Sequence, residues 1–586
     1  MKRCPECRRD YYDDSLSYCL DDGSALLEGP GSGDARIPDE PATAILLEAG
    51  AVATGFSKDE HERIDSLESA TAILSEQNAK AEPRKALNVS AARESRSPHR
   101  AAKPLAVLMV TALIVAGGFL GYRYFRSASI EHVNSIAVLP FENRSGNADT
   151  DYLSDGLADS LIYRLSQLPN LKVSPTSSVM RYKGSQTDVA QIAKELEVDA
   201  VMSGRLVQRG DDLSISVQLI DSRSKKLIWA EQYDRKMSDL LATQREMAIT
   251  IAQKLQLKLA GDEAKGITKK YTNSNEAYQL YLKARFYGSK RTAKDAQQAI
   301  DNYQRAVVLD PNFALAYAGL AEANWFLALY SYPQVNEAIP RAKELALKAL
   351  ELDNSLAEPH SILGVICLNN EHDFACMERE AKLAIELNPN YPEGHRRYAL
   401  LLGDLGRFDE ASVETRRALE LDPLSATSNF QAAQQLFFQR KYDESETISK
   451  KNIDLDPNFW YTHLQLFYIY RMKRDHAAAV VELAKAQEAR GEPDAAKLIR
   501  ESFAGGDWDG FLKKITADRT RLKLYPYFVA TLVAELGEKD KAFALLNEAL
   551  ETKDQHIAWM KVDPYMDPLR DDPRFKEVLH RAGFPE

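Results

Sequence analysis

The sequence predicts a multidomain chain: a small cysteine-knuckle ribbon (1–27), a disordered linker (28–103), a transmembrane helix (104–125), an α+β domain (134–260) and an all-α superhelix of helical hairpins with a C-terminal cap (274–586). Three observations predict it. Leu105–Tyr122 is an unbroken run without a charge. Between 134 and 260 the apolar residues switch between strand and helix periods. Beyond 274, helix-ending dipeptides recur at a spacing of about 34 residues. The 586-residue chain carries a net charge of −11, which argues against a general nucleic-acid binder, because phosphate contacts need clustered Lys and Arg.

The ribbon holds three of the five cysteines: Cys4, Cys7 and Cys19. Cys4 and Cys7 have knuckle spacing, and the position three beyond Cys19, where a fourth ligand is expected, is Asp22. Thiolates and a carboxylate are competent zinc ligands, and tetrahedral closure needs four. The segment resembles short bacterial zinc ribbons of the form CPxC…YCxxDG, lacking their fourth cysteine. That leaves Asp22, Asp21 or water as the last ligand, with a redox or unmetallated thiol cluster as the other reading. So short a unit has too little core to fold alone, so a structural zinc would supply its folding energy. Lys2, Arg3, Arg8 and Arg9 are offset by Glu6, Asp10, Asp13 and Asp14, which disfavours DNA as a partner. No cleavable signal peptide opens the chain, since Met1–Asp10 is charged and carries cysteines.

Residues 28–103 are rich in Ala, Glu, Ser, Pro and Gly and bury too little apolar surface to offset chain entropy. The string Ala-Thr-Ala-Ile-Leu occurs in them twice, at Ala42–Leu46 and Ala70–Leu74. It is either a coincidence of composition or a duplicated docking or phosphorylation motif at Thr43 and Thr71. The uncharged run that follows has the length of a membrane-spanning helix. Tyr122 and Tyr124 suit an aromatic belt, and Arg123 and Arg126 can snorkel. Arg93, Arg96, Arg100 and Lys103 precede the span, against Arg123 and Arg126 after it, which favours a cytoplasmic N-terminus. Thiols stay reduced in the cytosol, which agrees. The lipid bilayer is then one partner, and the larger part of the chain lies outside the cytoplasm.

In the α+β domain, Ser135–Phe141 reads as a buried strand and Asp151–Leu168 as an amphipathic helix with Leu153, Leu157, Leu161 and Leu165 on one face. A short strand follows at Leu171–Ser174 and a helix at Val189–Leu196. Ala200–Gln208 and Leu213–Asp221 form a hairpin across Arg209-Gly210-Asp211-Asp212. Leu227–Tyr233 is a third strand and Leu240–Leu259 a closing helix. The runs IAVLPFEN (Ile136–Asn143), YLSDGLADSL (Tyr152–Leu161), DAVMSGRL (Asp199–Leu206) and VQLID…LIWAEQYD (Val217–Asp234) resemble the bacterial TolB-like (FlgO-type) amino-terminal domain. That resemblance implies an accessory or interaction module without catalytic residues.

In the array, Asp310-Pro311, Asp353-Asn354, Asn388-Pro389, Asp422-Pro423 and Asp456-Pro457 follow one another at offsets of 43, 35, 34 and 34. The long first offset implies an insertion near Ser331–Glu337. Leu405-Gly406-Arg407-Phe408 makes an inter-helix turn. Ala411/Ala418, Ala342/Ala349 and Ala542/Ala549 are small residues seven apart, where paired helices approach closely. This pattern resembles tetratricopeptide repeats. Glu492–Leu522 breaks the register. VDPYMDPLRDDPRF (Val562–Phe575) resembles the terminal segment of bacterial proteins that join a TolB-like domain to such repeats, and reads as a cap over the last helix. Such proteins often carry a kinase or a winged helix before the span; here a ribbon and a linker occupy that place.

First helices of stacked repeats line a concave face. The register projects Trp325, Phe326, Arg396, Phe430, Phe437, Phe438, Tyr461, Tyr468 and Arg471 onto it as a partner-binding groove, aromatics and Arg being favoured at interface hot spots. Packing between repeats is the competing role for each. The two-Lys, two-Asn carboxylate clamp of some such repeats is not evident. Cys367 and Cys376, nine residues apart across a helix and its turn, could pair outside the cytosol but are read as free buried thiols, and His99, His360, His395 and His463 as surface or repeat-packing residues. No phosphate loop, G-x-S-x-G elbow, H-E-x-x-H motif or kinase signature is present, so a scaffold for protein or peptide ligands is expected rather than an enzyme. The alternative is a transmembrane regulator with output through the ribbon and linker.

Overall fold

The computed structural model describes residues 133–585 apart from 148–149, 258, 260, 291 and 331–334, together with three short strands nearer the N-terminus. Those strands, β1 (Lys2–Arg3), β2 (Asp10–Tyr11) and β3 (Leu27–Glu28), form an antiparallel sheet in the order β2-β1-β3. Cys4, Cys7, Cys19, Asp22, Thr43, Thr71 and the Leu105–Tyr122 run lie outside the described residues. No helix among the described residues is long and apolar enough to cross a membrane.

The α+β domain follows the expected order. β4 (Ser135–Val138) is buried throughout and lies parallel to β6 (Lys172–Val173) and β7 (Ala200–Arg209). A short β5 (Glu142–Asn143) also pairs with β7. From β7 the chain turns at Gly210, whose φ of +60° suits glycine, into β8 (Asp212–Asp221) and then β9 (Leu227–Lys236). The sheet order is β6-β4-β7-β8-β9. On β8, Leu213, Ile215, Val217 and Leu219 are buried and alternate with Ser214, Ser216 and Gln218, so one face of the antiparallel part is wet. The helices are α1 (Asp151–Ser166), α2 (Thr176–Val179), α3 (Val189–Leu196) and α4 (Leu240–Lys254). Leu153, Leu157, Leu161 and Leu165 on α1 are at most 1% exposed, as their four-residue spacing predicts. The closing helix is shorter than expected and is followed by a separate α5 (Asp262–Thr268).

The array begins with α6 (Asn275–Gly288) and α7 (Ala293–Leu309). Next come α8 (Ala314–Tyr330), α9 (Val335–Leu352), α10 (Ala357–Ile366) and α11 (Phe374–Leu387). The regular repeats are α12 (Pro392–Asp404) with α13 (Phe408–Leu421), α14 (Ala426–Phe438) with α15 (Tyr442–Leu455), and α16 (Trp460–Met472) with α17 (His476–Ala489). The extra residues before Asp353 lengthen α8 and α9 to 17 and 18 residues, against 13 and 14 in α12 and α13. The irregular stretch is a shortened pair of ten-residue helices, α18 (Pro493–Ser502) and α19 (Trp508–Ala517). Then follow α20 (Pro526–Glu535), α21 (Lys539–Glu551), two 3-10 turns at Gln555–Trp559 and Pro564–Leu569, and α22 (Pro573–Arg581).

The register is written into the backbone. The left-handed residue of the inter-helix turn recurs at His372, Gly406, Arg440 and Arg474, one repeat length apart each time. Ala342, Ala349, Ala411, Ala418, Ala542 and Ala549 are at most 1% exposed, which is the close helix contact that their spacing predicts.

The core does not divide where the sequence motifs do. One continuous apolar cluster runs from Val133 through the α+β domain and the first repeats to Ile366, and a second runs from Cys367 to Phe584. At Gly156 of α1 a Cβ would lie 2.8 Å from the Leu282 Cβ on α6, so glycine permits the contact between domain and array. Ser160 and Tyr278 share a 2.5 Å hydrogen bond, and the Arg285 guanidinium is bidentate on Asp159. Inter-repeat turns complete the junction. Lys269 is 2.6 Å from Asp353, Asn390 donates to the carbonyls of Leu168 and Leu171, and Ser177 and Ser178 donate to Asp422. Asn390 and Asp422, at the ends of successive repeats, therefore hold the α+β domain, and Asp353 holds the segment that follows it.

Candidate protein-interaction groove

In a stack of helical hairpins the first helices line the inner face, and here these are α8, α10, α12, α14 and α16. The nine projected groove residues fall into two groups. Phe437, Phe438, Tyr468 and Arg471 are buried, at 2%, 3%, 8% and 3% exposure, and so are corrected from groove to core. The reason is the chain's own C-terminus. The Tyr565 ring lies 6.0 Å from Phe437 and 5.8 Å from Tyr468, and Trp559 lies 6.1 Å from Phe438. The Arg471 guanidinium stacks 3.8 Å over Tyr565, pairs with Glu535 at 2.7 Å and donates to Thr531. Arg440 donates to the Val562 carbonyl and to Asp567. The segment expected to cap the last helix therefore also folds back onto α14 and α16. Asp404, which holds the position of Phe438 one repeat earlier, is 1% exposed, and burial pushes its carboxyl well above the ordinary range.

The other five, Trp325, Phe326, Arg396, Phe430 and Tyr461, are half-buried. Arg396 is held by Glu393 at 2.7 Å and by the Gln431 side chain at 3.2 Å, so its guanidinium is pre-positioned. Phe430 packs 5.3 Å from Tyr461, which stacks on Trp460 at 3.6 Å. Trp325 lies under the Arg397 guanidinium at 5.0 Å.

The structure adds residues that the projection missed. Glu358, in the first turn of α10, occupies the repeat position of Tyr461, through offsets of 35, 34 and 34 by way of Glu393 and Thr427. The same arithmetic finds it; a search for aromatics and arginines passes it over. Burial pushes its carboxyl up to about 7, and its Oε2 is buried without a hydrogen-bond partner.

The repeat-packing histidines have a shared role. His360, His395 and His463 each pair through Nδ1 with a glutamate on the second helix of the hairpin, Glu380, Glu414 and Glu482, at 2.7, 2.6 and 2.6 Å. His395 and His463 also reach the carbonyls of Pro389 and Pro457. Cys367 and Cys376 correct a second expectation: they form a disulfide. The helix is distorted at Cys367–Glu371 into a π turn, which brings the two sulfurs together across a spacing that a straight helix and turn would separate. The C-terminal tail rests on this turn. Phe584 packs 4.6 Å from Phe374, and a Cβ on Gly583 would collide with the His372 carbonyl.

Residues 132–250 match the family described as the HilA/YgeH-like transcriptional regulator, second domain. A putative adenylate cyclase 3 of Rhizobium meliloti is 32% identical over 236 residues, covering 39% of this chain and 40% of that protein. The transcriptional regulator HilA of Salmonella typhimurium is 25% identical over 323 residues, covering 53% of this chain and 56% of the relative. The chain thus spans roughly half or less of the length of these curated relatives. Among solved structures, the tetratricopeptide protein YrrB is similar at 22% identity, over 32% of this chain and 91% of that one, with a TM-score of 0.23. The type IV pilus biogenesis factor PilW is similar at 19% identity, over 36% and 92%, with a TM-score of 0.29. The array is of tetratricopeptide type on its own helices: paired, in constant register from His372 to Arg474, with buried alanines at the close contacts of three hairpins.

Proposed function

We propose that this chain is a scaffold whose repeat array holds a protein or peptide partner. The carrying observation is the half-buried strip of Trp325, Arg396, Phe430 and Tyr461 on the inner face, with Arg396 held in place by Glu393 and Gln431. Rigid aromatics and an oriented guanidinium lose little entropy on binding. We further read the chain as a single-pass protein of a bacterial cytoplasmic membrane, with residues 1–103 in the cytoplasm, a structural zinc on Cys4, Cys7, Cys19 and Asp22, and the array outside. The Cys367–Cys376 disulfide supports this orientation, since such bonds persist in oxidising compartments. The role is binding rather than catalysis.

The test is cross-linking of the full-length protein in its own membranes, followed by affinity capture. The reading expects a protein that Arg396→Ala and Tyr461→Ala each release. Capture that these variants leave unchanged overturns it. Reporter fusions after residues 95 and 270 test the orientation, which predicts opposite sides of the membrane.

A second reading has the match to a regulator's second domain in its favour. In it, partner binding outside alters an output of the ribbon and linker, including Thr43 and Thr71. Deleting residues 1–100 then abolishes function, whereas a pure scaffold keeps it.

A further inference from the structure

One buried carboxylate oxygen lacks a hydrogen bond where the α+β domain meets the array. Glu358 Oε2 is buried and accepts no hydrogen bond. The Glu358 charge acts on four tyrosines drawn from both sides of the junction: Tyr163 on α1, Tyr271, Tyr281 on α6, and Tyr391. Tyr163 and Tyr271 meet edge to face at 5.8 Å. Tyr163, Tyr271, Glu358 and Tyr391 are each half-buried, so the residues are reached from outside although the Oε2 atom itself is covered.

Cations near this cleft are engaged elsewhere. Arg285 is bidentate on Asp159, and its charge eases but does not overcome the burial of the Glu358 carboxylate. Arg164 donates to Gln244 and to the carbonyls of Ile267 and Lys269, and stacks on Tyr271 at 4.7 Å. Lys269 is 2.6 Å from Asp353. Arg397 donates to Ser361 and covers Trp325. Glu322, exposed on α8, adds to the negative potential at Glu358. A buried carboxylate without a partner is costly, and tyrosine faces attract cations. Both costs and attractions point to the same ligand chemistry.

We propose that the cleft at Glu358, between α1 of the α+β domain and α10 of the array, receives a basic side chain, lysine or arginine, from the protein partner. The proposal rests on the scaffold reading and deepens it: the aromatic strip at Phe430 and Tyr461 takes the apolar part of the partner, and Glu358 takes its cation. Because burial holds the carboxyl near pH 7, the site gains its charge as pH rises through neutrality.

The test uses the full-length protein in detergent and a fluorescein-labelled alanine pentapeptide with a central lysine, beside the same peptide with norleucine. Anisotropy at pH 8 is expected to give tighter binding of the lysine form by about tenfold, the scale of one desolvated charge contact. That preference shrinks severalfold at pH 6. Glu358→Gln brings the two peptides within about twofold of each other, while Glu358→Asp keeps part of the difference. A thermal melt of Glu358→Gln verifies its fold. Equal binding of the two peptides at millimolar concentration, or a lysine preference that survives Glu358→Gln, overturns the site. A natural partner captured equally by wild type and Glu358→Gln removes this cleft and leaves the scaffold reading standing.

Discussion

The two ends of the inner face are finished in opposite ways. Near α14 and α16 the chain's own C-terminus covers it. Phe437, Phe438 and Tyr468 pack on Trp559 and Tyr565, and Arg471 finds Glu535, Thr531 and a tyrosine face. Near α8 and α10 the α+β domain comes alongside but leaves the Oε2 atom of Glu358 without a hydrogen bond. A solenoid sums interactions between neighbours, so one stretch can be sealed while another stays open. The difference separates stability from binding. Arg471, with its partners in place, belongs to the fold, whereas Glu358 keeps one carboxylate oxygen for which a partner can supply a donor.

The sealed end is tested first, by Arg471→Ala. It strands Glu535 beside a cavity and is expected to cost about 3–5 kcal/mol, read by denaturant unfolding of the full-length protein. Limited proteolysis between 554 and 585 should accelerate with it. If stability falls by less than about 1 kcal/mol, the cap is not held as described. A control independent of both ends is Ala418→Leu. It forces a larger side chain into a helix contact that is 1% exposed, and should cost about 1–3 kcal/mol.

The open end predicts a change of the opposite sign. Glu358 has a folded pKa of about 7 against an ordinary 4.5, so the folded state prefers the proton. The penalty is absent below the ordinary value, grows as pH rises from there to about 7, and is constant above. Glu358→Gln should therefore stabilise the unliganded protein by about 1–3 kcal/mol at pH 8 and hardly at all at pH 4.5, read by thermal melts across pH.

The smallest effect belongs to the histidine–glutamate pairs. Burial opposes the charged His463 ring, but the Glu482 carboxylate and the Pro457 carbonyl outweigh it and raise its pKa above 6.5. Burial likewise opposes the Glu482 carboxylate, which His463 and Lys485 nevertheless hold below 4.5. The imidazolium contribution is full below pH 6.5 and is lost as pH rises through the raised histidine value. The carboxylate contribution is full above pH 4.5 and is lost as pH falls through the depressed glutamate value. His463→Gln should cost about 1 kcal/mol between those limits and less outside them, read by urea titration at pH 5.5 and pH 9.

Local pattern carried far in this chain. The leucine face of α1, the β7–β8 hairpin and the alanine contacts at 411/418 follow from residue spacing, because periodicity selects which side chains can share a face. The split of the groove residues did not follow. Phe437 and Phe430 look alike in sequence, and only the distant segment around Tyr565 decides that one is core. The disulfide was hidden for a related reason: regular helix and turn would keep the two sulfurs apart, and a π turn brings them together.

By itself, then, the sequence determined the repeats, their register and the α+β order, since these are set by contacts between neighbours in the chain. Tertiary structure alone decided that the α+β domain and the first repeats share a core, that the tail closes the last repeats, and that one oxygen of Glu358 is left without a hydrogen bond. Those outcomes depend on which distant surfaces meet, and burial and charge balance at a junction exist only once both sides are in place.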